Sequence, residues 1–133
     1  MSEKRIIRVG DLMGSRLYTI DRLATVADAM ALMKRHDVSS LAVDRRDDDD
    51  EYGLLVVADI AREVIARNRA PERVNVYEIM SKPVLTLPAG MLARYAVRLL
   101  VRFELSRAVV IDAERAPLGM VTLRDLVLSH VEE

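Results

Sequence analysis

Apolar positions along this chain change period several times, and each change marks an element. Val26, Ala29, Met30 and Met33 recur at three- and four-residue spacing, which predicts an amphipathic helix over residues 25–36. Thr25, with Asp28 three residues on, is a helix-start pattern. Residues 17–20 before this helix read as extended, and the apolar run 40–43 after it reads as a short buried strand. A charged turn over 44–51 follows, then a second buried strand over 52–57 and a helix over 59–66. Pro71 breaks the pattern inside a connector. The same order then returns: extended at 84–87, helix at 91–103, strand at 107–111, loop at 112–117, strand at 118–121 and helix at 123–131.

The recurrence is also one of identity. Shifted by 67 residues, Val9-Gly-Asp-Leu-Met13 falls on Val76-Tyr-Glu-Ile-Met80. Thr19 falls on Thr86, Ala29 on Ala96, Leu32 on Leu99, Arg35 on Arg102, Ser39 on Ser106 and Val43 on Val110. Eight of the 35 positions from Val9 to Val43 are thus identical, where average composition gives about two or three. After one residue is lost in a loop, Gly53 falls on Gly119 and Asp59 on Asp125. The predicted fold class is α/β (α+β), β-α-β-β-α taken twice. The organisation is an N-terminal extension at 1–8, a first repeat at 9–69, a connector at 68–74 and a second repeat at 75–131. Two repeats are too few for a solenoid, so the expectation is two halves packed face to face around one shared core.

The helix over 91–103 carries Arg94, Arg98 and Arg102 four residues apart, on one stripe of its circumference. Nearly everything else on it is apolar, and the helix over 25–36 has the same excess. Both are expected to pack on two sides, which predicts a homodimer through the first helix of each repeat. The arginine stripe itself reads as a wetted helix face, or as a surface for an acidic partner.

Composition narrows the function. Lys and Arg total 20 against 21 Asp and Glu, a net charge of −1, which does not suit a general nucleic-acid binder. There is no cysteine, which excludes disulfides, thiolate chemistry and Cys-based zinc sites. His36 and His130 are far apart in sequence, so no metal pair is expected. The N-terminus lacks the apolar core of a signal peptide, and no apolar run reaches spanning length. The expectation is a soluble cytoplasmic protein without a membrane partner. The acidic run at 47–51 lacks the glycine turns of a calcium loop and reads as a solvated turn. His36, after Arg35, suits the negative end of a helix, and the methionines read as core filler.

One stretch carries candidate chemistry: Gly119-Met-Val-Thr122-Leu-Arg-Asp125, at a strand-to-helix handover. It has two readings. As a ligand site, the glycine permits a close backbone approach, the helix start favours phosphate, and the Asp125 carboxylate can accept both hydroxyls of a ribose, as an acidic residue does in dinucleotide folds. As local structure, Thr-x-x-Asp is a capping box. The first repeat has Val56 in place of the threonine but retains Asp59, which moves the balance modestly toward a ligand role. No nucleophile-and-base order and no phosphate-binding lysine loop is present. Asp59 and Asp125 occupy equivalent positions, so they suit two binding sites rather than one acid–base pair. No catalytic residues and no required cofactor are expected.

The duplicated pattern resembles a pair of CBS domains, the arrangement called a Bateman module, over residues 9–131. The resemblance rests on Leu12-Met13, Thr19, Ser39 to Val43 and Gly53 to Asp59, and again on Ile79-Met80, Thr86, Ser106 to Val110 and Gly119 to Asp125. It implies two β-α-β-β-α units with pseudo-two-fold symmetry and two clefts between them. Such clefts take adenosine-containing ligands: AMP, ADP, ATP or S-adenosylmethionine. The resemblance assigns ribose to Asp125, ribose or phosphate to Thr122, adenine to Thr86 and phosphate to Arg107. In the first repeat the roles fall on Asp59, Thr19 and Ser40, and Val56 and Ser40 make that site the weaker one. The expected function is a stand-alone regulatory module that signals to an unidentified target protein. The alternative is a dimerising adaptor with vestigial clefts.

Overall fold

The structure, a computed structural model, describes residues 6–14, 17–82 and 84–130. In chain order its elements are α1 (Val9–Leu12), β1 (Thr19–Ile20), α2 (Val26–His36), β2 (Ser40–Val43) and β3 (Gly53–Val56). Then come α3 (Val57–Ile60), which runs into a π-helical turn (Ala61–Ile65), and two 3-10 turns (Pro71–Arg73 and Val76–Glu78). The chain continues with β4 (Thr86–Pro88), α4 (Ala93–Arg102), β5 (Arg107–Ile111), β6 (Pro117–Thr122) and α5 (Leu123–Leu128). The order β-α-β-β-α occurs twice, as the hydropathy pattern predicts. Val131, the end of the predicted last helix, lies outside the described residues.

The local reasons are visible at the helix ends. Thr25 caps α2: its hydroxyl accepts from Asp28 N at 3.1 Å, while Asp28 accepts from Thr25 N at 3.2 Å. Asp37 closes α2 in the left-handed region at φ 53°, and its equivalent after α4, Glu104, does the same at φ 56°. His36, at the end of α2, stacks on Tyr18 with ring centroids 3.9 Å apart.

Each repeat builds a three-stranded sheet, ordered β1-β2-β3 and β4-β5-β6. The first pair of each is parallel and the second antiparallel, because a crossover helix joins the first two strands and a short turn the last two. The loop predicted over 112–117 ends one residue early, since Pro117 pairs with Ile111.

The chain forms two compact units, Tyr18–Val84 and the described residues up to Leu17 joined with those from Leu85 on. Each has its own core, which corrects the expectation of a single shared one. Ile20, Val26, Leu41, Leu55 and Val64 are among the buried residues of the first, and Leu87, Ala96, Leu100, Val110 and Leu126 of the second.

The units do not coincide with the sequence repeats, because each leader packs with the other repeat. Val9 N donates to Met91 O, and the equivalent Val76 N donates to Ala24 O, both at 2.8 Å. Ala93 N donates to Ile7 O at 2.9 Å, and Val26 N to Val74 O at 2.8 Å. Gly14 pairs with Met120 along the edge of β6, and Ser81 pairs with Leu54 along the edge of β3. Every one of these bonds has its counterpart 66 or 67 residues away.

The Met and Gly that the two repeats share meet at these edges. A Cβ on Gly119 would strike the carbonyl oxygen of Gly14 and come within 3.1 Å of Met13 Sδ. A Cβ on Gly53 would come within 2.7 Å of Met80 Sδ and 3.3 Å of Ser81 O. What approaches each glycine closely is therefore the leader of the same unit, where the sequence reading offered a ligand.

Candidate functional site

Sheet register sorts the candidate residues. In the unit of β4–β6, Thr86 pairs with Val109, Val109 with Met120 and Arg107 with Thr122. Paired residues point to one side of a sheet and neighbours along a strand alternate. Thr86, Arg107 and Thr122 therefore share one face, and the core residues Leu87, Ala108, Val110 and Val121 occupy the other. In the unit of β1–β3, Thr19 pairs with Ala42 and Ser40 with Val56. Thr19 and Ser40 share the face opposite Ile20, Leu41, Val43 and Leu55. Each candidate set thus lies on the face turned away from its own unit's core.

Asp125 stands in the first turn of α5 and forms a capping box. Its amide donates to Thr122 Oγ1 at 3.1 Å, and its carboxylate accepts from Thr122 N at 3.4 Å. The hydroxyl of Thr122 accepts in this bond, so its own proton remains able to donate. The local reading of Thr-x-x-Asp is realised, and it leaves both side chains polar capacity to spare. Arg107 is half-buried beside Thr122, and among the described residues no carboxylate pairs with it.

The helix start itself is less available than the sequence suggested. Leu123 N donates to Ser106 O at 2.8 Å and Asp125 N is used by the cap, so two of the first three amides of α5 are already engaged.

The equivalent region around Asp59 differs. The loss of Thr122's counterpart breaks only half of the box, because Val56 N still donates to Asp59 Oδ2 at 3.3 Å. Asp59 Oδ1 accepts from the Arg62 guanidinium at 2.8 Å. Asp59 is 7% exposed, one of two buried acidic residues among those described. Arg62 bonds Glu63 at 3.2 Å as well, and these two carboxylates, Glu63 first, raise its pKa. Sequence reasoning missed Arg62, although its place one helical turn beyond Asp59 is the available signal.

The second buried carboxylate is Asp50. The acidic run is a solvated turn at Asp47, Asp48, Asp49 and Glu51, but Asp50 is anchored by Lys82 and by Arg46 N at 2.8 Å. These bonds, the Lys82 ammonium first, hold its carboxyl far below the usual carboxylate range.

Two helical surfaces expose apolar side chains. A groove of about 560 Å³ in the Tyr18–Val84 unit is lined by Met30, Ala31, Val57, Ala61 and Ile65, among others. On α4, Arg94 and Arg98 lie 5.0 and 5.3 Å from the ring of Tyr95, with Val101 exposed on the same helix and Phe103 just beyond its end. Among the described residues no helix is long and apolar enough to cross a membrane. No group of three or more His, Asp or Glu side chains among them is placed to hold a metal.

Two three-stranded sheets built by one repeated β-α-β-β-α order define a tandem-repeat α/β module. The chain belongs to the CBS-domain family: the model of the CBS domain matches residues 9–66 and again 76–131. It is similar to the protein MK0525 of Methanopyrus kandleri, 25% identical over 92% of this chain and 62% of that one. The chain therefore spans less than two thirds of that relative. Among solved structures it is similar to a hexameric CBS-CP12 protein from bloom-forming cyanobacteria, with a TM-score of 0.86 and 31% identity over 96% of this chain and 74% of the other. It is also similar to the CBS domain of the bacterial CNNM/CorC family Mg2+ transporter in complex with ATP. There the TM-score is 0.75 and the identity 25%, over 91% of this chain and 84% of the other.

Proposed function

We propose that the chain is a regulatory module that binds an adenosine-containing ligand through the face of the β4–β6 sheet opposite its own core and passes the binding state to a partner protein. The observation that carries this reading is the set on that face and at its edge. Asp125 offers acceptors for two ribose hydroxyls, Thr122 offers a hydroxyl donor, Arg107 offers a guanidinium for phosphate, and Thr86 lies two register positions along. ATP on the CNNM/CorC relative supports an adenine nucleotide as the ligand class. AMP, ADP, ATP and S-adenosylmethionine are the compounds to test. Regulation follows if the ligand binds two arrangements of the module with different affinity.

The test is a thermal-shift panel of these compounds on the whole chain, followed by Asp125→Ala. Ligand at 100 times its Kd adds about 2.7 kcal/mol of stability, so a positive compound is evident. Asp125→Ala is expected to abolish most of the shift while the protein remains folded. An unchanged affinity in that variant removes Asp125 from the site.

The exposed apolar side chains on α2, α3 and α4 support self-association through the first helix of each repeat. The expected species in light scattering at micromolar concentration is a dimer or larger. The adaptor reading gains if the chain is oligomeric and no adenosine compound shifts its melting.

A further inference from the structure

The two candidate sites are not equivalent, and the difference is carried by one arginine. We propose that Arg62 latches Asp59 and disfavours ribose there, so that the chain takes its nucleotide at Asp125. This rests on the adenosine-binding reading above.

A carboxylate holds a vicinal diol by turning two acceptor positions toward it. Asp59 has fewer to turn than Asp125. Each of its oxygens already accepts one bond, from Val56 N at 3.3 Å and from Arg62 at 2.8 Å, and only 7% of the residue is exposed. The Arg62 side chain is 63% exposed against 9% for Asp59, so the arginine reaches a buried carboxylate from the solvent. It is braced from the far side: Glu63 takes Arg62 Nε at 3.2 Å and Arg67 at 3.1 Å. This Asp59–Arg62–Glu63–Arg67 chain runs along the wide turn Ala61–Ile65, in which Ala66 N reaches back five residues to Ala61 O at 2.8 Å.

None of this exists at the other site. At the offset of 66 that matches Asp59 to Asp125, Arg62 matches Leu128, which offers no charge. Among the described residues the Asp125 side chain accepts only from Thr122 N. The unit with the latch also has Val56 where Thr122 stands, and Ser40 where Arg107 stands. The loss of hydroxyl donor, loss of guanidinium and gain of an internal cation act in one direction.

The Arg62 end of the pair is largely exposed and so weakly held, and the latch weights the site against ligand rather than sealing it. Titration calorimetry of the whole chain with AMP and ATP is expected to give one site per chain, lost in Asp125→Ala and unchanged in Asp59→Ala. In the Asp125→Ala background, Val56→Thr with Arg62→Leu is expected to bind up to about fivefold tighter than Val56→Thr alone. Equal or weaker binding on removal of Arg62 overturns the latch, since weaker binding makes Arg62 a phosphate ligand. So does wild-type binding that depends on Asp59 instead of Asp125.

A ligand-free measurement separates the latch from the function it rests on. Melting temperatures of Asp59→Asn, Arg62→Leu and the double variant should be sub-additive, because either change alone breaks the pair. Additivity overturns the latch even where Asp125 binds nucleotide. Sub-additivity with no nucleotide bound by any variant keeps the Asp59–Arg62 pair and overturns its role as a gate.

Discussion

Gly119 lies directly against Gly14, and no space remains between them for a β-carbon. The obstacle is a backbone carbonyl, which cannot rotate away. Gly119→Ala is therefore expected to cost about 1–3 kcal/mol as an overpacked position, seen as a melting temperature several degrees lower. Met13→Ala should not rescue it. At Gly53 the nearest obstacle is the Met80 thioether, the flexible end of a side chain. Gly53→Ala should cost less, and Met80→Ala should relieve part of the loss. Rescue of Gly119→Ala by Met13→Ala would show that the leader backbone is free to give way.

The two strand-to-helix corners differ by one hydroxyl. Thr122 caps α5 and Val56 leaves the equivalent Asp59 amide without a side-chain acceptor. Thr122→Val is expected to lose about 1 kcal/mol, and Val56→Thr to gain up to a similar amount, in ligand-free thermal melts. Equal melting of both variants and the wild type would mean that water satisfies the amide as well as the hydroxyl does.

Asp50 makes stability depend on acid. Its folded pKa lies below the unfolded value of about 3.9. Its contribution is therefore complete above that value and is lost as pH falls through it toward the folded pKa. Asp50→Asn is expected to melt lower than wild type at pH 7, and the gap is expected to narrow progressively once pH falls below the unfolded value, closing only as it nears the folded pKa. Lys82→Ala should bring the acid transition to higher pH. Melting curves of wild type and Asp50→Asn that stay parallel across this range would remove Asp50 from the acid response.

Much of this fold is legible in the sequence because its signals are local. Thr25 and Asp28 announce the start of α2, and the runs at 40–43 and 107–111 coincide with β2 and β5. The fold of the leaders is not legible in that way. The period of 67 shows that Val9 and Val76 are equivalent, but it is silent on which repeat each will bond, since both choices bury the same side chains. Hydropathy likewise cannot distinguish a glycine kept for a ligand from one kept for a neighbouring strand, and Gly119 serves the strand. Asp125 was findable from its spacing to Thr122. Arg62 does not stand out in this way, because the repeat marks what the two halves share, and at Arg62 they differ.

The reciprocal leaders also determine what happens when the chain is cut. A fragment excised at the sequence repeat, residues 75–131, would keep the leader that belongs to its sibling and lack the one that covers β6. Its free strand edge would be a template for another molecule, and the matching leader would be carried by any intact copy nearby. Such a half is expected to survive by trading segments with its neighbours, so that its folding becomes a matter of concentration. The genetic unit and the folding unit of this protein are offset by one short segment, and only the pair of repeats together is closed.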